Sequence, residues 1–134
     1  LGYPDPHEER LLLAQGERRR LIDSMEPALS PEALLRLQEQ VPQVHVADAL
    51  LDYVQALIAH TRESGDYLTG LSPRGGMALV RAAQAWALMQ GHAGVHPEDI
   101  QAVFPAVVAH RLERASRDTP SDAGRAILAT VPVP

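Results

Sequence analysis

The 134-residue chain has no cysteine and no lysine. Without cysteine there is no disulfide framework, no thiolate metal site and no thiol nucleophile. Without lysine there is no phosphate-binding loop, because that loop needs its lysine at the β- and γ-phosphates. Schiff-base and serine–lysine chemistry fall with it. All twelve basic residues are arginine. Aromatic residues make up 4% of the chain against 46% hydrophobic residues in all, so the core has to be built from Leu, Val and Ala. That composition favours closely packed helices over a β-sandwich. No apolar run is long enough to span a bilayer, and no signal-peptide pattern is present. Together with the missing cysteine this is compatible with a cytoplasmic location, which is the expectation. The net charge of −5 argues against a general nucleic-acid or anionic-membrane binder, which needs a basic surface.

The length predicts a single domain over residues 1–134, burying roughly two-thirds of the surface its unfolded chain exposes. The first residue, Leu1 and not Met, predicts a fragment or a processed chain. Asp5-Pro6-His7-Glu8 has the logic of a capping box and opens a helix through Leu11, Leu12 and Leu13 to about Gly16. Glu17-Arg18-Arg19-Arg20 reads as a solvated turn, with a nucleic-acid patch as the alternative. Residues 21–29 read as an irregular linker anchored by Met25 and Leu29. A Ser30-Pro31-Glu32 start gives a second helix that ends at Val41-Pro42, since the residue before proline disfavours helical backbone. Val44-His45-Val46 is a short extended connection. A third helix over residues 48–64 places Leu50, Leu51, Val54, Leu57, Ile58 and Thr61 on one face at three- and four-residue steps.

Gly70-Leu71-Ser72-Pro73-Arg74-Gly75-Gly76 then opens the fourth helix. Ser72 is an N-cap residue whose hydroxyl can accept from a backbone N–H one turn in. Pro73 suits the first helical position, where its missing N–H costs nothing. Arg74 sits in the first turn, where the helix dipole disfavours a cation by about 0.3–1 kcal/mol, and each glycine costs up to about 1 kcal/mol of helix propensity. Such a start makes sense where backbone and guanidinium converge on an anion; the plain alternative is a solvent-facing Arg after a Ser-Pro cap. The helix continues to Gln90 with Leu79, Ala82, Ala83, Trp86 and Ala87 on one face, Trp86 being expected in the core, and Gly91 ends it. His96 caps the next helix before Pro97-Glu98-Asp99, and Ile100, Val103, Phe104, Val107, Val108 and Leu112 form its stripe. Pro105 should kink or split it. A last short helix follows Thr119-Pro120-Ser121-Asp122, leading to an extended, proline-containing tail.

No complete catalytic constellation is visible. His92 and His96 invite a metal reading, but Gly91 and Gly94 place them in a loop and no carboxylate is evidently the third ligand, so no metal site is expected. His110 with Glu113 reads as a surface contact before it reads as an acid–base pair.

The order Gly70-Leu71-Ser72-Pro73-Arg74, an alanine-rich helix, Val95-His96-Pro97-Glu98-Asp99-Ile100 and Val107-Val108-Ala109-His110-Arg111-Leu112 resembles the C-terminal helical lid of MoxR-type AAA+ ATPases. The likeness extends to Gly2-Tyr3-Pro4 and Val131-Pro132-Val133-Pro134. It implies an all-α lid of about six helices, with the nucleotide-binding core lying before residue 1 in a longer parent. It assigns Arg74 the role of sensor 2 arginine facing the γ-phosphate, with Ser72, Pro73 and Gly75 as nucleotide-binding neighbours. It further implies ATP and Mg2+ as ligands of the full-length protein, which would hydrolyse ATP, and the core and adjoining subunits of a ring as partners. Von Willebrand factor A-type proteins and client enzymes awaiting remodelling or maturation are further implied partners; nucleic acid and membrane insertion are not. From a different class, the chain could be a helical protein-interaction or DNA-binding module without a nucleotide role.

Overall fold

A computed structural model describes residues 3–15, 23–116 and 122–133. The chain divides into two compact units, residues 1–34 and 35–134. The sequence readings of residues 17–20, of the linker's first two positions and of residues 119–121 fall outside the described residues.

In the first unit, helix α1 spans Pro6–Gln15. Asp5 caps it as its position predicts, its Oδ1 accepting from the backbone N–H groups of His7 and Glu8 at 2.9 Å each. Leu11, Leu12 and Leu13 are all exposed. Three consecutive leucines sweep about 200° around a helix, so they cannot share one buried stripe. Met25 and Leu29, expected as anchors, are also exposed. Helix α2, Pro31–Gln40, crosses the boundary between the units. Its Ser30 cap accepts from Ala33 N at 3.1 Å. Val41-Pro42 stops it in a single 3-10 turn, as proline chemistry requires.

The second unit holds the core. Helix α3 runs Asp48–Glu63, α4 Pro73–Gln90, α5 Pro97–Val108 and α6 Ala123–Thr130. Leu57 of α3, Leu79, Ala83 and Ala87 of α4, and Phe104 and Val108 of α5 are fully removed from water. The α4 face is thus built largely of small side chains, and α5 packs along it more extensively than any other pair of elements meets. Tyr53, buried at 2% exposure, joins this core although its position was not read as part of the α3 face, whereas Leu51 at 44% lies outside it. Trp86 is 38% exposed and sits on the rim, against the expectation of a core residue.

Gly91 takes the left-handed conformation (φ 77°) that ends α4, and His92 N–H reaches back to Ala87 O at 2.9 Å. Pro105 does not split α5; the helix continues to Val108, and Ala109 N–H still reaches Pro105 O at 3.0 Å. The proline lies in the last turn, so only one backbone bond, to Gln101 O, is lost. Helix α6 lies directly on it: a Cβ at Gly124 would stand 2.4 Å from Pro105 Cα. Asp122 caps α6, its Oδ1 accepting from Arg125 N at 3.1 Å. Among the described residues the all-α expectation holds apart from a small ladder, in which β1 (Tyr67–Thr69) pairs antiparallel with β2 (Glu113–Arg114), and an isolated parallel bridge between His45 and Gly94.

Candidate functional site

The start of α4 is built backwards from α3. After α3 the chain turns at Gly65 (φ 77°) and runs back through β1 to lie against the last turn of that helix. Gly70 is packed so closely there that a Cβ would be 2.9 Å from both Arg62 Cα and Thr61 O. Leu71 is then held at both backbone groups. Its N–H donates to Thr61 Oγ1 at 2.9 Å, and its carbonyl accepts from Arg62 Nε at 3.0 Å and Nη2 at 2.7 Å. Thr61 Oγ1 in turn donates to Ile58 O at 2.7 Å. The Leu71 side chain is buried at 1% exposure.

From this anchor Ser72 caps α4 as its sequence position predicts: backbone extended, Oγ accepting from Gly75 N at 3.1 Å, and Ser72 O accepting from Gly76 N at 3.0 Å. Pro73 has no N–H to satisfy. Arg74 is exposed, and among the described residues its side chain has no hydrogen bond or ion pair. The four residues therefore divide their tasks. Ser72 and Pro73 shape the turn, and Arg74 carries the free charge. Gly75 turns out to be an interior residue: its amide is taken by Ser72, and a Cβ there would meet Leu71 Cδ1 at 2.6 Å. Gly76 is buried likewise, with Ile58 Cδ1 at 2.6 Å from its missing Cβ. The glycines are explained by packing within the unit, a role that the sequence alone did not separate from anion approach.

A second constellation lies at the α4–α5 corner. Asp99, 2% exposed, accepts from His96 N–H at 2.8 Å through Oδ2, and the same oxygen lies 3.1 Å from His92 Nδ1. The His92 and His96 rings stack with centroids 4.4 Å apart and planes 22° from parallel. Asp99 is the carboxylate that sequence reasoning did not find, because the helix start folds it back over the loop. His92, His96 and Asp99 thus bring one possible ligand atom each to within 4.8 Å of one another, while the Asp99 oxygen shared by an amide and an imidazole ties the loop to the start of α5. His110 and Glu113 share no hydrogen bond; the carboxylate belongs to β2.

Beside the helix start, an open groove of about 550 Å³ is lined mainly by apolar groups, among them Leu51, Val54, Ile58, Met77 and Val80, together with Arg81. Leu51, read as part of the apolar face of α3, is exposed and lines this groove; Ile58 lines it too while packing, partly buried, against the core. Among the described residues no helix is long and apolar enough to cross a membrane.

A small module of helices with a capped, arginine-bearing helix start is the class that these features define. The chain belongs to the AAA lid domain family, whose model matches residues 59–130. The relatives agree with the MoxR-type likeness of the sequence. The chain is 36% identical over 112 residues to protein YeaC of Bacillus subtilis, covering 84% of this chain and 35% of that protein. It is 34% identical over 122 residues to the chaperone MoxR1 of Mycobacterium tuberculosis, covering 84% of this chain and 32% of that one. Protein MoxR of Methylorubrum extorquens is 45% identical over 71 residues, 48% of this chain and 21% of its own. The chain thus spans about a third of the length of the first two of these relatives. A crystal structure of a Cytophaga hutchinsonii protein to which ATPase function is ascribed matches with a TM-score of 0.80 at 22% identity, over 100% of this chain and 45% of that one. That likeness concerns the fold.

Proposed function

We propose that the chain is the nucleotide-sensing lid of an AAA+ ATPase. It closes over ATP held by a core domain elsewhere in the parent protein, and Arg74 contacts the γ-phosphate as the sensor 2 arginine. The observation that carries this reading is the exposed Arg74 guanidinium, without a partner among the described residues, at a helix start already shaped by Ser72 and Pro73. A cation there opposes the helix dipole, and a phosphate oxygen outside the unit supplies the compensating charge. Arginine suits the task because it stays charged and can present two parallel N–H donors. Residues 70–76 contain no carboxylate, so Mg2+ ligands come from the core and not from this turn. The parent, a ring of such subunits, couples ATP hydrolysis to remodelling or maturation of client proteins, with von Willebrand factor A-type proteins as candidate partners.

The test is Arg74→Ala in the full-length parent. Turnover of the assembled ring should fall roughly ten- to a thousandfold, since losing one donor to developing transition-state charge costs about 2–4 kcal/mol. Arg74→Lys should restore it in part, because an ammonium lacks the planar two-point contact. Unchanged hydrolysis in a well-assembled variant ring removes Arg74 from the mechanism. A second reading, a helical interaction module without a nucleotide role, is favoured by the apolar groove lined by Val54, Met77 and Val80. On that reading Arg74→Ala leaves turnover intact, while Met77→Glu weakens partner capture.

A further inference from the structure

We propose that Thr61 and Arg62 of α3 are positioning residues for Arg74. They hold both backbone groups of Leu71, the residue from which Ser72-Pro73-Arg74 springs, so that α3 and not α4 alone fixes where the guanidinium points. This inference rests on the phosphate-sensing reading of Arg74 and adds how that residue is placed.

The geometry leaves Leu71 little freedom. Thr61 is 1% exposed, and its hydroxyl has a fixed orientation: it donates to Ile58 O at 2.7 Å and accepts from Leu71 N at 2.9 Å. Arg62 grips the Leu71 carbonyl with two donors, Nε at 3.0 Å and Nη2 at 2.7 Å. Two donors on one oxygen fix the plane of the guanidinium as well as its distance. Both are charge-assisted bonds, stronger than neutral ones, and among the described residues Arg62 has no carboxylate partner. Gly70 brings the strand of chain against α3 so tightly that no Cβ fits, and Leu71 fills the interior beside Gly75. Only Ser72 and Pro73 lie between this clamp and Arg74, and the Ser72 cap fixes the helix start that carries Arg74. A shift at Leu71 is therefore passed to Arg74 undamped.

A cation in the last turn of α3 also suits the dipole of its own helix, so a stabilising role alone would explain Arg62 without any link to Arg74. A double-mutant cycle separates the two. In the full-length parent, kcat and KM for ATP are measured for Arg62→Ala, Arg62→Lys, Thr61→Val, Arg74→Ala and the Arg62→Ala/Arg74→Ala pair, with ring assembly checked for each. Arg62→Ala and Thr61→Val should lower kcat about tenfold to a hundredfold, the scale of a 1 Å misplacement of a reacting group. Arg62→Lys should fall between wild type and Arg62→Ala. In the Arg74→Ala background Arg62→Ala should cost less than about twofold more, the non-additivity of residues acting through one another. If Arg62→Ala does not assemble, the same cycle is run with Thr61→Val, which preserves the shape of the side chain. An impaired Arg74→Ala ring beside an unimpaired or fully additive clamp variant overturns the positioning role alone. An unimpaired Arg74→Ala ring overturns the sensing reading and the positioning role with it.

Discussion

Ser72 and Arg74 stand two residues apart, yet they answer to different forces. Ser72 works inside the unit: its hydroxyl satisfies Gly75 N–H at 3.1 Å, one of the amide groups that a helix start leaves without an intrahelical partner. Ser72→Ala should therefore destabilise the chain by about 1 kcal/mol, a drop of roughly 2–5 °C in Tm at this size. Arg74 is exposed, and its side chain has no hydrogen bond or ion pair among the described residues. Arg74→Ala should change stability by less than about 0.5 kcal/mol, as for a surface substitution, while it removes the proposed phosphate contact. Thermal melting of the two variants side by side checks the pair. A melting loss at Arg74 equal to that at Ser72 would mean that the arginine is part of the packing and not held ready for a ligand.

At the scale of elements, glycine positions decide how closely helices approach. Gly124 in the first turn of α6 lies against backbone: a Cβ would stand 2.4 Å from Pro105 Cα and 2.7 Å from Pro105 Cβ. Alanine would gain up to about 1 kcal/mol of helix propensity, but a rigid proline ring cannot yield, and forced overpacking costs about 1–3 kcal/mol. Gly124→Ala should thus be destabilising in urea unfolding. Gly76→Ala should be milder, because only the mobile tip of Ile58 stands in its way, at 2.6 Å, with Cγ1 at 3.7 Å. Equal effects of the two substitutions would contradict this ordering. The same close approach explains what the sequence left illegible. Most helix bounds and the Asp5, Ser30 and Ser72 caps followed from local chemistry, and local chemistry is written in consecutive residues. Trp86 was misread because it lies one residue, about 100°, from Ala87 at the centre of the buried face; neighbours drawn in over Ala83 and Ala87 leave an indole only the rim. The β1–β2 ladder has three residues in one strand and two in the other, too few for any periodicity to register, and its partners are far apart in sequence. Asp99 over His92 is likewise a product of the turn and not of the spacing.

For the whole molecule, the order and spacing of individually weak motifs pointed to a lid, and the family match over residues 59–130 lies within the second compact unit. The clamp on Leu71 was invisible at that level, because Thr61 was counted as one more member of an apolar stripe and nothing in the spacing singled out Arg62. The division of labour in the parent leads to the last prediction. Residues 1–134 contain no lysine, so no phosphate loop lies among them, and on the proposed reading Arg74 would sense a phosphate without cradling a nucleotide. The purified 134-residue chain should show strong helical circular dichroism and no ATP turnover, with nucleotide affinity no tighter than about millimolar, some 4 kcal/mol of binding. Adding the separately purified core of the parent should raise the core's ATP turnover, and adding the Arg74→Ala chain should raise it less, because closure of the lid then brings no positive charge to the γ-phosphate. The paired assay reads both halves of the argument at once. Magnesium-dependent hydrolysis by the isolated chain, abolished by a point substitution within it, would make this chain an enzyme in its own right and end its reading as a lid.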